Sequence, residues 1–127
     1  MTYEFPETFS NFFNQQLFNQ QRLFNDGAYA DFTKLPDDTE LPVDDPRLCS
    51  YHVQQLVSEI GEVLEADKRW KNFRNDKNDT TNKLEEIADC FIVVMNLAIF
   101  SGFDSYDVEQ AIYKKLQIVS ERIRSCR

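Results

Sequence analysis

Two pairs of carboxylates have the spacing of ligands that share one helix face. Glu59 and Glu62 lie three residues apart in the chain, and so do Glu86 and Asp89. Side chains three apart are neighbours on a helix surface. One such pair means little in a chain with 22 acidic residues, but two pairs on consecutive helices are much less expected by chance. Four hard oxygen ligands without cysteine or histidine suit Mg²⁺, with Mn²⁺ as the alternative, and do not suit zinc.

The second pair lies at the start of the most apolar stretch of the chain. Residues 87–100 are apolar on nearly every side, which predicts a helix buried all round. A polar stripe within an arc of about 100° nevertheless runs along this helix: Asn82, Glu85, Glu86, Asp89 and Asn96. A buried carboxylate costs several kcal/mol unless it is neutralised, paired or bound to a cation. Glu85 and Glu86 fit a solvated helix end, whereas Asp89 is followed at once by apolar residues and needs a partner.

Composition restricts the class of protein. A chain of 127 residues fits one domain, and three glycines with four prolines favour long helices, so we expect an all-α fold. The net charge of -8 argues against a nucleic-acid partner. No signal peptide is recognisable, and the apolar run is too short to span a membrane. Cys49, Cys90 and Cys126 lack metal-binding spacing, which indicates reduced thiols in a cytoplasmic protein.

The apolar periodicity and the turn residues predict four helices, over 8–24, 46–73, 80–102 and 105–125. Thr8 or Ser10, Asp45, Thr80 or Thr81, and Asp104 or Ser105 are the expected caps. The long acidic segment over 25–45 is predicted to be a mobile surface loop, with a lid over a site as second choice. A short polar turn joins the second and third helices, so they should pack antiparallel and bring the carboxylate pairs together. Two apolar faces are predicted to be core: Val53, Leu56, Val57, Ile60, Val63 and Leu64, and, on the last helix, Val108, Ala111, Ile112, Leu116, Val119 and Ile123.

Several other side chains are candidates for substrate contact. Lys115 and Arg122 lie seven residues apart on one face, where they either snorkel to solvent or bind a polyphosphate. Lys71 near the turn would add to them. Trp70 either stacks on a base or covers a helix end. Gln16 and Gln20 lie on an amide-rich helix face that either is solvated or contacts the edge of a nucleobase. Asn96 either recognises the base or forms a hydrogen bond across the core of an oligomer, and His52 is expected to be a structural hydrogen bonder.

These motifs resemble those of the all-α NTP pyrophosphatases, a superfamily that includes MazG-like proteins and dimeric dUTPases. The resemblance covers roughly residues 46–123 and depends on four segments: Glu59-Ile-Gly-Glu62, Arg69-Trp70-Lys71, Glu86-Ile-Ala-Asp89 and Tyr113-Lys-Lys115-Leu. It implies one four-helix, bundle-like domain over residues 1–127 that assembles as a dimer or a dimer of dimers. The subunits would complete each other's bundle. The compact chain is more similar to the MazG-like branch than to the longer dUTPases, although its Trp-Lys turn is similar to that of dUTPase and dCTP-hydrolysing members.

The resemblance also implies an activity, Mg²⁺-dependent hydrolysis of a nucleoside triphosphate such as dUTP or dCTP to the monophosphate and pyrophosphate. Glu59, Glu62, Glu86 and Asp89 would bind metal, with Glu59 as the candidate general base. Lys115 and Arg122 match the family's last-helix pattern, but Val119 stands where the family typically has asparagine.

Three alternatives stay open on the sequence. The first is an enzyme similar to phosphoribosyl-ATP pyrophosphohydrolase. A non-catalytic helical module that binds nucleotides or a partner is the second, and Val119 favours it. The third is a structural oligomer whose acidic stripe pairs with lysine or arginine of a neighbouring subunit.

Overall fold

A computed structural model of the chain describes residues 5–29, 41–71 and 80–125. Within these ranges the chain is helical and contains no strand, which confirms the all-α class. The α-helices are Phe5–Asn25 (α1), Pro46–Ala66 (α2), Thr80–Phe100 (α3) and Ser105–Ser125 (α4), and a short 3-10 helix spans Lys68–Trp70. Residues 30–40 of the predicted loop, and with them the proposed lid, lie outside the described residues. None of the described helices can cross a membrane alone, although α3 and α4 taken as a bent pair have the length and composition.

Local hydrogen bonds set the ends of α2. Asp45 caps its start, as predicted: the carboxylate accepts a hydrogen bond from the Arg47 amide, and Pro46 occupies the first turn. The predicted end at residue 73 is wrong, because α2 ends at Ala66. Asp67 takes an extended conformation, and its side chain accepts a hydrogen bond from the amide of Arg69, which starts the 3-10 turn. A short acidic side chain here competes with continuation of the helix.

The other helix ends also differ slightly from the sequence prediction. Helix α1 begins at Phe5, so Thr8 and Ser10 lie inside it instead of capping it. Helix α3 ends at Phe100, two residues early, because Gly102 takes a φ of +89° that ends a helix. Asp104 caps α4: it accepts a hydrogen bond from the Asp107 amide, and Asp107 accepts one from the Asp104 amide.

Helices α2 and α3 form the principal packed pair and run antiparallel. Leu48 at the start of α2 packs in one cluster with Phe100 at the end of α3. At the opposite end, Lys83 of α3 donates to Asp67 after α2, at 2.9 Å. Helix α1 packs on both α3 and α4, and α1 side chains complete the buried cluster of Phe13, Phe24, Tyr29, Leu48, Ile99 and Phe100.

Several predicted core residues are exposed on the single chain. This applies to four residues of α2 and five of α4: Val53, Val57, Ile60, Leu64, Ala111, Ile112, Leu116, Val119 and Ile123. The expectation that α3 is buried all round is also wrong, since Phe91 is 70% exposed. The physical reason is that the four described helices are too few to cover every apolar face among themselves. Apolar periodicity predicts that a face is buried, but not which chain covers it.

Candidate active site

Three carboxylates converge in the groove between α2 and α3. Glu59 comes from the second half of α2, and Glu86 and Asp89 come from the first half of α3, which the antiparallel arrangement places opposite. One carboxylate oxygen from each lies within 4.8 Å of the others. Glu59 and Glu86 are half-buried, while Asp89 is exposed. The apolar residues that follow Asp89 in the sequence predicted that it is buried, and that prediction is wrong.

Glu62 lies beside this acidic cluster (Glu59, Glu86 and Asp89) without belonging to it. The carboxylate of Glu62 is exposed, and only its charge acts on Glu86. Desolvation raises the pKa of Glu86, and so do the charges of Asp89, Glu62, Glu59 and Glu85. Four negative charges therefore oppose ionisation of one side chain.

Basic side chains do not neutralise the cluster within the described residues, where no ion pair joins it to a lysine or arginine. The nearby cations are engaged at the α2–α3 turn instead. Lys83 and Arg69 both bind Asp67, at 2.9 and 2.8 Å, and hold the pKa of its carboxyl well below the usual range. An acidic cluster of oxygen ligands without a protein counter-charge fits a divalent cation, and the donor set suits Mg²⁺ or Mn²⁺.

Trp70 and Lys71 lie together at the end of this pair of helices. The indole Nε1 of Trp70 donates to the backbone carbonyl of Leu64 at 3.2 Å, and the ring is 56% exposed. The Lys71 ammonium lies 5.4 Å from the ring centroid, a cation–π contact. Trp70 is thus held in place by its edge, with ring surface left open.

The three amides singled out in the sequence meet in one buried network. Asn96 Oδ1 of α3 accepts hydrogen bonds from Gln16 Nε2 at 2.7 Å and Gln20 Nε2 at 3.0 Å, both from α1. Sequence reasoning missed Tyr29, whose hydroxyl donates to Gln20 Oε1. The residue follows the Asn-Asp-Gly turn and was assigned to a loop; its aromatic character was the only available signal. Burial raises the pKa of Tyr29 to about 12, so the hydroxyl keeps its proton at neutral pH.

His52 sits in an aromatic box next to this network. Its ring stacks on Phe100 with centroids 4.6 Å apart, and the rings of Tyr29 and Tyr51 meet it edge-on. The expected structural hydrogen bond is not found at Nε2, which is buried without a partner among the described residues. Burial lowers the pKa of His52 to about 4, so the ring is neutral at physiological pH.

The structure does not bring Lys115 and Arg122 to the acidic cluster of their own chain. Both lie on α4, which packs against α1, and the chain turns by 115° between α3 and α4. In the described part of the chain neither forms an ion pair with an acid, and Val119 between them is 48% exposed.

The family model of the MazG nucleotide pyrophosphohydrolase domain matches residues 50–123. The chain belongs to this family. The match covers most of α2, all of α3 and most of α4, and therefore the acidic cluster together with Lys115 and Arg122. MazG domains hydrolyse nucleoside triphosphates, so this MazG protein is a hydrolase acting on phosphoric anhydrides. Comparisons with curated proteins and with solved structures give no match.

Proposed function

We propose that the protein hydrolyses nucleoside triphosphates such as dUTP or dCTP to the monophosphate and pyrophosphate, with Mg²⁺ or Mn²⁺ as cofactor. The main support is the approach of Glu59, Glu86 and Asp89 to within 4.8 Å without a basic partner among the described residues. These three side chains would hold the metal, and Glu62 would add negative charge from the edge. The free thiols of Cys49 and Cys90 support a cytoplasmic location.

A bound divalent cation supplies charge neutralisation for the phosphates and lowers the pKa of water. The chain's own contribution is orientation and proton transfer. Glu59 approaches from α2 while its two partners share α3, so we assign to its carboxylate the proton of the attacking water. The water oxygen bonds to phosphorus as the anhydride bond breaks, and the products are the nucleoside monophosphate and pyrophosphate.

A second copy of the chain completes the site in this proposal. Helix α4 carries Lys115 and Arg122 but packs mainly on α1 of its own chain. Its exposed apolar face is suited to another subunit, and so are the exposed stripes of α2 and α3. Docking of α4 on a partner's α2–α3 groove would place two cations opposite the acidic cluster, where they would stabilise charge developing on the phosphates. The assembly is then a homodimer or a dimer of dimers.

Further nucleotide contacts are assigned to groups at the two ends of the groove. At the turn end, Lys71 lies against the open ring surface of Trp70, and this pair would border the triphosphate. The base and sugar would lie at the other end. Gln16, Gln20 and Asn96 form the polar wall between α1 and α3.

A nucleotide panel tests the proposed activity. The protein is incubated with each dNTP and NTP in Mg²⁺, in Mn²⁺ and in excess chelator, and pyrophosphate and inorganic phosphate are measured separately. We expect pyrophosphate and monophosphate in equal amounts, with no release under chelator. Inorganic phosphate as the product, or no turnover of any nucleotide, would contradict the proposal.

A further inference from the structure

The hydrogen-bond polarity of Asn96 is fixed by its neighbours. Oδ1 accepts from both Gln16 Nε2 and Gln20 Nε2, which uses both lone pairs of the amide oxygen. Each glutamine is itself oriented, because Gln20 Oε1 accepts from the Tyr29 hydroxyl and Gln16 Oε1 accepts from Asn19 Nδ2 at 3.2 Å. Asn96 therefore has no acceptor capacity left for a ligand.

The amide nitrogen of Asn96 is the group that remains available. Nδ2 donates to none of the described residues. Nδ2 is not fully buried either. In the described part of the chain, His52 Nε2 is the only fully buried side-chain nitrogen or oxygen that lacks a partner, so the unpartnered Nδ2 of Asn96 must be in contact with solvent. Asn96 as a whole is only 8% exposed, so its side chain is fixed by its neighbours. The small exposed part of the residue includes the Nδ2 donor.

Asn96 lies on the face of α3 that carries Asp89, at the edge where α1 packs on this helix. It follows Asp89 by seven residues, which returns to the same helix face about 10 Å further along α3. A triphosphate bound at the cluster would direct its sugar and base along this face. In a pyrimidine nucleotide the substituent at position 4 lies opposite the bond to the sugar, so it reaches furthest from the phosphates; position 6 is the corresponding edge of a purine.

We propose that Asn96 Nδ2 donates a hydrogen bond to a keto oxygen at position 4 of a pyrimidine or position 6 of a purine. The inference depends on the proposed hydrolase function and specifies its substrate class. Bases with a keto group there, such as uracil, thymine, guanine and hypoxanthine, are preferred over cytosine and adenine, which present an amino donor against the amide donor. Two donors facing each other leave both unsatisfied.

Matched substrate pairs test the inference on the unaltered protein. dUTP and dCTP differ in the keto or amino group at position 4, and dITP and dATP differ in the same way at position 6. We expect kcat/KM to be about tenfold higher for the keto member of each pair, because a tenfold ratio corresponds to the free energy of one hydrogen bond. Equal values, or preference for the amino member, would overturn the inference.

The Asn96→Asp variant tests the assignment to this residue. One carboxylate oxygen still accepts from the two glutamines, while the other now accepts from an amino group, so the preference should fall at least tenfold or reverse. Asn14→Asp adds the same charge at an exposed position of α1 and should leave the ratio unchanged. A keto preference that persists in Asn96→Asp would overturn the assignment.

A protein that hydrolyses no nucleotide would refute the proposed function separately. Calorimetric binding of dUMP and dCMP would then decide the inference. Tighter binding of dUMP would support it, and equal or weaker binding would overturn it.

Discussion

At the scale of single residues, the neighbours Glu85 and Glu86 of α3 have different surroundings. Both lie in the polar stripe of α3, but only Glu86 joins Glu59 and Asp89 in the acidic cluster. Glu62 satisfies the same spacing rule on α2 and lies outside the cluster. Spacing determines which side chains share a helix face, whereas the approach of two faces depends on packing that no local pattern contains.

The amide network gives a similar result. Gln16 and Gln20 were identified as either solvated or base-contacting, and the structure shows a third arrangement in which they hold Asn96. Tyr29 was not identified, since the role of that residue depends on a turn that folds it back onto α1.

His52 should make stability depend on pH. Its pKa is lowered from 6.5 to about 4, so the unfolded chain binds a proton more readily than the folded chain between these values. Stability is therefore expected to fall as pH falls from about 6.5 to 4, by up to about 3 kcal/mol from this residue. His52→Phe retains an aromatic ring in the box but cannot titrate.

Urea unfolding of both proteins between pH 4 and 8 measures this effect. The carboxylates titrate in both, so the difference between the two curves isolates His52, and the free energies of unfolding should diverge towards acid pH. Parallel curves would show that His52 is not held neutral by the fold.

At the scale of the helices, charged and polar residues decided the boundaries. The caps at Asp45 and Asp104 were predicted because their hydrogen bonds are local in sequence. The end of α2 was not, because the Asp67 side chain takes part both in the 3-10 turn and in a contact with Lys83, sixteen residues away. The antiparallel pairing of α2 and α3 followed from the short polar turn alone.

Two glycines provide a matched test of these helix assignments. Gly61 lies inside α2 with open space around an added Cβ, so Gly61→Ala should stabilise the protein by roughly 0.5–1 kcal/mol. Gly102 has a φ of +89°, so Gly102→Ala should destabilise it by about 1–2 kcal/mol. Thermal or urea unfolding measures both. A loss of stability in Gly61→Ala would mean that another surface approaches that face of α2.

At the scale of the whole molecule, the exposed apolar faces are the main difference between sequence and structure. The periodicity of α2 and α4 predicted burial, yet Val57 is 66% and Leu116 59% exposed. A second copy of the chain would reconcile the two, since burial between subunits and burial within a subunit leave the same pattern in the sequence.

Leu116→Glu should therefore disrupt the proposed oligomer. The substitution places a charge in the exposed apolar face of α4, whereas Gln117→Glu places the same charge about 100° further round the helix, at a position that is polar already, as a control. Sedimentation equilibrium should give a reduced mass for Leu116→Glu only. Turnover should fall with it, because Lys115 and Arg122 would no longer reach a partner's groove. An unchanged mass in Leu116→Glu would contradict assembly through this face.

The central claim is that the acidic cluster binds the metal ion that hydrolysis requires. The kcat/KM for Mg²⁺-dependent pyrophosphate release from a nucleoside triphosphate tests this claim most directly. The comparison is between Asp89→Asn, inside the cluster, and Glu85→Gln, an exposed acid on the same helix. Loss of a metal ligand removes several kcal/mol of transition-state stabilisation, so Asp89→Asn should lower the rate at least about 100-fold. Glu85→Gln should stay close to the unaltered protein. Equal activity of the two variants would contradict a metal-dependent site built from Glu59, Glu86 and Asp89.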